Sequence, residues 1–177
     1  MSYDSQIHHR RSIRLSDYDY SQAGAYFVSI CAYHHKCIFG EVEQRAVLLN
    51  DLGGIVAECW DALPERFEDV ELDVSVVMPN HFHGVILIGC NDKPPQSPPN
   101  LGELIRVFKS TSTVRANQLM EYPGRSLWQR NYYEHVIRGE SELTCIRQYI
   151  VNNPIQWETD NENPEAEAVE IEMPWEA

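Results

Sequence analysis

Short stretches in which apolar and polar positions alternate are separated along this chain by stretches in which apolar positions recur every three or four residues. Residues 26–33 (YFVSICAY) are rich in aromatic and β-branched types, follow Gly24, and predict a first strand. Over 51–63, Ile55, Val56, Cys59, Trp60 and Leu63 fall at helical spacing, with Asn50 placed to cap and Pro64 just beyond the end. Val70, Leu72, Val74 and Val76 alternate with Glu71, Asp73 and Ser75, the turn Met78-Pro79-Asn80 follows, and residues 81–88 alternate again. This predicts a two-stranded hairpin. Residues 89–100 carry four prolines and predict an exposed loop. Asn100 then caps a second helix with a stripe of Leu101, Leu104, Ile105 and Phe108. Residues 131–138 alternate as a fourth strand, and Ser141 opens a last helix that places Ile146, Tyr149, Ile150 and Asn153 on one face and stops at Pro154.

The order strand, helix, strand, strand, helix, strand predicts an α+β fold of the split βαβ, ferredoxin-like kind. It would have an antiparallel sheet, helices on one face, and an added C-terminal helix carrying Tyr149. We expect one domain over residues 1–157, with a basic N-terminal segment at 8–24 and the proline-rich loop at 89–100, followed by an acidic, flexible tail at 158–177.

Charge matters here because of where it lies. The formal net charge is −13, but residues 158–177 carry eight acids and no base, which leaves −5 for residues 1–157. Between Leu101 and Arg147 seven bases face five acids, and Arg10, Arg11 and Arg14 cluster near the start. Two places could therefore hold phosphates, although the same charges could be ordinary solvated ones. No apolar run reaches the roughly 20 residues of a membrane span, and the first 14 residues lack an apolar signal core, so we expect a cytoplasmic protein. Five scattered cysteines without a CxxC pair fit reduced thiols.

In the strand over 81–88, His81 and His83 point to the same side while Phe82 turns to the other. Two neutral imidazoles so placed can share a cation, or can line a polar sheet face. Tyr149 and Asn153, four apart, stack on one helix face, so Asn153 could add an oxygen ligand suited to Mg²⁺ or Mn²⁺. By spacing alone Tyr149 fits a core aromatic beside Ile146 and Ile150 better than a functional group. Residues 31–37 (CAYHHKC) offer a rival zinc reading through Cys31, His34, His35 and Cys37, but strand alternation separates Cys31 from His34 and no second ligand pair with finger spacing follows.

The segments MPNHFHGVILI (78–88) and YIVNNP (149–154), in that order, resemble the single-tyrosine HUH transposases, with the best fit to the REP-associated tyrosine transposases of bacteria. Supporting stretches are RSIRLSDYDYSQAGAYFVSIC (11–31), IFGEV (38–42), LGELIRVFKS (101–110) and LWQRNYYEHVIR (127–138), so the likeness runs over roughly residues 10–157. It implies that His81 and His83 hold a divalent metal ion, Mg²⁺ or Mn²⁺, with Asn153 at the third ligand position. It implies that Tyr149 attacks DNA to leave a 5′-phosphotyrosine and a free 3′-hydroxyl, and that the substrate is single-stranded or hairpin DNA of the repetitive extragenic palindromic type. Arg10, Arg11, Arg14, Arg106, Lys109 and Arg130 are the candidate phosphate or groove contacts, and Trp128, Tyr132 and Tyr133 candidate stacking surfaces for unpaired bases. Among such proteins we expect a monomer in preference to a homodimer. A non-cleaving DNA-hairpin regulator on the same fold is the alternative.

Overall fold

The computed structural model describes residues 19–20, 22–89 and 99–166. Arg10, Arg11 and Arg14, most of the proline-rich loop and residues 167–177 lie outside them. The strands are β1 (Gly24–Cys31), β2 (Gly40–Glu43), β3 (Ala46–Leu49), β4 (Val70–Val77), β5 (His81–Ile88) and β6 (Tyr133–Ile137). The α-helices are α1 (Asp51–Asp61), α2 (Leu63–Arg66), α3 (Leu101–Leu119) and α4 (Glu140–Gln156). The main sheet has the order β4-β5-β1-β6 with every neighbour antiparallel, which is the ferredoxin-like arrangement.

Strand parity divides the core into two layers. Tyr26, Val28 and Ile30 of β1 and Phe82, Ile86 and Ile88 of β5 face one side, where they pack with Val56, Cys59 and Trp60 of α1 and Leu104, Ile105 and Phe108 of α3. Phe27 and Val85 face the other side and meet Leu143, Ile146 and Ile150 of α4. Helices α1 and α3 therefore cover one face, while α4 lies across the opposite face of its own sheet. Each fully buried isoleucine in that second layer contributes about 1.5–3 kcal/mol through removal from water. The central strand β5 is buried almost throughout, so side chains on both of its faces are fixed by neighbours.

Two caps form as the sequence predicts: Asn50 Oδ1 accepts from Gly53 N at 3.1 Å and Asn100 Oδ1 from Gly102 N at 2.8 Å. Three expectations need correction. The hairpin β2–β3 was not predicted, because its turn is made by Gln44 and Arg45 in left-handed backbone (φ 48° and 66°), residues that carry no turn signal. Pro154 does not stop the last helix, which runs on to Gln156. Proline disfavours helical backbone at Asn153, yet that residue is held in place by burial and by the hydrogen bond from its amide nitrogen to Asp160 described below. Finally, the boundary at 157 falls inside the folded unit: residues 157–159 form a 3₁₀ turn and Asp160 is buried.

No helix among the described residues is long and apolar enough to cross a membrane.

Candidate active site

The α4-facing side of β5 carries His81 and His83, both buried, with ring centroids 4.5 Å apart. Helix α4 brings two residues over them from 66 and 72 positions away in the chain. The Tyr149 hydroxyl lies 3.5 Å from His83 Nε2, and Asn153 Oδ1 lies 3.1 Å from His81 Nε2. Phe27 of β1 walls the group, its ring 5.4 Å from that of His83 and 6.1 Å from that of Tyr149. Arg147, two residues before Tyr149, ties α4 to β4 through Asp73, with Nε and Nη2 donating to Oδ2 at 2.9 and 2.6 Å.

The Asn80 amide nitrogen donates to the main-chain oxygens of His35, at 3.2 Å, and Glu162, at 2.5 Å, so Asn80 Oδ1 accepts and His81 Nδ1 carries a proton toward it at 2.9 Å. Asn153 Nδ2 donates to Asp160 Oδ2 at 3.0 Å, which turns Asn153 Oδ1 toward His81. Burial lowers the pKa of both histidines, so the rings are neutral near pH 7. His81 Nε2 and Asn153 Oδ1 are then two lone-pair atoms facing each other at 3.1 Å. A cation relieves that contact, either a second proton on the ring or a metal ion, and about 3 Å is also the separation of neighbouring ligands on an octahedral Mg²⁺-sized ion. The donor set of two imidazoles and an amide oxygen fits a divalent metal, with His81, His83 and Asn153 as the residues that would hold it.

The electrostatics also favour a cation. Burial, and then Asp160 and Glu162, push the Tyr149 phenol well above its usual range, so it stays protonated. Cys31, the strand partner of His81, is pushed up to about 12 by burial and then by Glu162. Asp160, Glu162 and Asn80 are residues that sequence reasoning missed. By composition the two acids belong to the tail, and by sequence Asn80 belongs only to a turn.

The other candidates divide. Arg130 is exposed and, with Gln129, Tyr132 and Tyr133, lines a cleft of about 420 Å³ that also reaches Cys31 and Glu162. Arg106 is exposed, 3.9 Å from Glu103. The Lys109 ammonium donates to the carbonyls of Gln129, at 2.5 Å, and Arg130, at 3.1 Å, and burial lowers its pKa to about 8, so it supports that segment. Trp128 is core, with Nε1 donating to Ser112 Oγ at 2.9 Å, and is not a stacking surface.

Residues 19–153 match the family described as "Transposase IS200 like". The chain belongs to the IS200-like transposase family. It is also 42% identical over 173 residues to an uncharacterized protein of Haemophilus influenzae, covering 89% of this chain and 95% of that one. Among solved structures, this transposase is similar in fold to a REP-associated tyrosine transposase bound to a REP hairpin, with a TM-score of 0.56, 19% identity, and coverage of 80% of this chain and 74% of that one. The match shows a shared fold.

Proposed function

We propose that this transposase nicks and rejoins single-stranded or hairpin DNA through a covalent bond to Tyr149, and that it belongs with the REP-associated group. The observation that carries the reading is the convergence of the half-buried Tyr149 and its hydroxyl with the buried imidazoles of β5 and the buried Asn153 amide.

His81, His83 and Asn153 would hold a divalent metal ion, which would supply positive charge at the scissile phosphate and make its phosphorus more electrophilic. The remaining work falls to the protein. Asn80 fixes the His81 tautomer, and Asp160 fixes the Asn153 amide, so both ligand atoms face inward. Arg147 and the buried face of α4 hold Tyr149 over the pair. The Tyr149 oxygen forms a bond to phosphorus while the bond to the 3′-oxygen breaks, and the phenolic proton ends on the departing oxygen. One phosphodiester replaces another, and no nucleotide cofactor is consumed. Attack on the 5′-phosphotyrosine by another DNA 3′-hydroxyl gives strand transfer, and attack by water gives a nick.

The exposed Arg130, together with the half-buried Tyr132 and Tyr133, offers a charge and ring faces to unpaired bases beside the site. A monomer requires α4 to pack on its own sheet and to present Tyr149 to its own histidines, and the packing of α4 supports that state in preference to a homodimer.

The test is incubation with labelled palindromic single-stranded DNA and Mg²⁺ or Mn²⁺. A denaturation-resistant protein–DNA adduct is expected from the native protein and none from Tyr149→Phe. Equal behaviour of the two would remove the nucleophile assignment and favour a DNA-binding regulator that does not cut.

A further inference from the structure

Beside the histidine pair lies a second cluster of ligating atoms that the chemistry above does not use. Cys31 Sγ, a ring nitrogen of His35 and a carboxylate oxygen of Glu162 all lie within 4.8 Å of one another. Cys31 ends β1, His35 closes the turn that follows, and Glu162 comes from the segment after α4. We propose that Cys31, His35 and Glu162 form a separate site for a borderline divalent cation of the zinc class, which clamps the segment after α4 to the end of β1.

The donor set supports this choice of ion. A thiolate, an imidazole and a carboxylate suit zinc, whereas the imidazole–amide set of the first site suits a harder ion. The spacing is close to what a shared ion requires. Typical zinc–sulfur and zinc–oxygen bonds in a tetrahedron put the two ligand atoms about 3.6 Å apart, and Cys31 Sγ and Glu162 Oε2 are 3.5 Å apart. His35 Nδ1 and Glu162 Oε2, at 2.6 Å, must separate to about 3.4 Å, and both side chains have room, being 48% and 34% exposed.

The backbone holds these groups in place at some cost. His34 and His35 are consecutive non-glycine residues in left-handed backbone, with φ of 58° and 50°. The Asn80 amide then pins the main-chain oxygens of both His35 and Glu162. His34 and Cys37, which also looked eligible from their order in the chain, do not join the cluster: the His34 ring packs against Tyr33 at 4.0 Å, and Cys37 is exposed. The remaining coordination position would open toward the cleft of about 420 Å³ lined by Arg130 and Tyr133, where water or a ligand from solution can complete it. Binding the ion displaces the Cys31 thiol proton to solvent. Because Asp160 stands two residues before Glu162 and contacts Asn153, the clamp also holds the residue that orients the Asn153 amide.

Cobalt substitution tests this independently of DNA cleavage. The full-length, reduced protein is stripped with a chelator and titrated with Co²⁺. One thiolate-to-cobalt charge-transfer band is expected, saturating at one equivalent, a signature that the imidazole–amide site cannot give. The band should vanish in Cys31→Ser and persist in Cys37→Ser and His81→Ala. Outer-shell changes already weaken metal sites by about 10–100-fold, so His35→Ala and Glu162→Gln, both at partly exposed positions, should each weaken Co²⁺ binding about tenfold or more. They report on the site even if Cys31→Ser misfolds. Absence of the band in the native protein, its survival in Cys31→Ser, or undiminished affinity in both His35→Ala and Glu162→Gln would overturn the proposal.

Discussion

The Asn153 amide nitrogen donates to Asp160 Oδ2 at 3.0 Å, and through this bond the amide oxygen is turned toward His81. A carboxamide is free to rotate by half a turn, and in the other orientation it would present N–H groups to a metal. Asp160 removes that freedom. Asp160→Ala is therefore expected to weaken activation of DNA cleavage by Mg²⁺ or Mn²⁺ by about 10–100-fold, the usual effect of losing an outer-shell partner. Asp160→Asn, which keeps an acceptor oxygen, should lose less. Metal titration of cleavage rates reads the effect, and an unchanged metal requirement in Asp160→Ala would show that Asn153 is oriented by something else.

Both histidines are held neutral by burial, which has a signed consequence for stability. Their folded pKa values lie below the ordinary value of 6.5, so below that pH the unfolded chain binds more protons than the folded one. Metal-free protein should keep its full stability above about pH 6.5 and lose it progressively as pH falls from there toward the folded pKa values. The carboxylates with lowered pKa, Asp73 and Glu142, act only at more acidic pH. Thermal melts between pH 7 and about 5 isolate the histidine contribution. A Tm that does not fall over this window, or falls equally in His83→Gln, contradicts the assignment.

Gly84 follows His83 on β5 and faces the other layer. A Cβ there would lie 2.5 Å from Trp60 Cζ2 and 2.9 Å from Phe82 Cε1. Gly84→Ala should thus cost about 1–3 kcal/mol through overpacking, visible as a lower denaturation midpoint. Because the strain sits directly under the histidine strand, cleavage should fall as well. A fully stable Gly84→Ala would mean that Trp60 shifts freely.

Most of the fold was legible because its signals are local. Alternation placed β4 and β5, helical spacing placed α1 and α3, and Asn50 and Asn100 marked where helices begin. The hairpin β2–β3 was not legible, since Gln44 and Arg45 adopt left-handed backbone without glycine or asparagine to announce it. Nor was the passage of α4 through Pro154, which depends on what Asn153 meets across space. The site was half legible. His81, His83, Tyr149 and Asn153 could be named from strand parity, helix spacing and family resemblance, and the structure brings them together. Asp160 and Glu162 could not, because in sequence they belong to a run of acids, and composition carries no sign that two of them turn back to meet Asn153, His35 and Cys31.

The central claim is that the Tyr149 oxygen becomes bonded to DNA. Its most direct test is to react the protein with palindromic single-stranded DNA and divalent metal, digest the DNA to a residual nucleotide, and locate that mass among the tryptic peptides. The account predicts a phosphonucleotide on Tyr149, in the peptide that begins after Arg147. Attachment to another residue, such as the neighbouring Tyr133, or DNA cut with no nucleotide left on the protein, would contradict it.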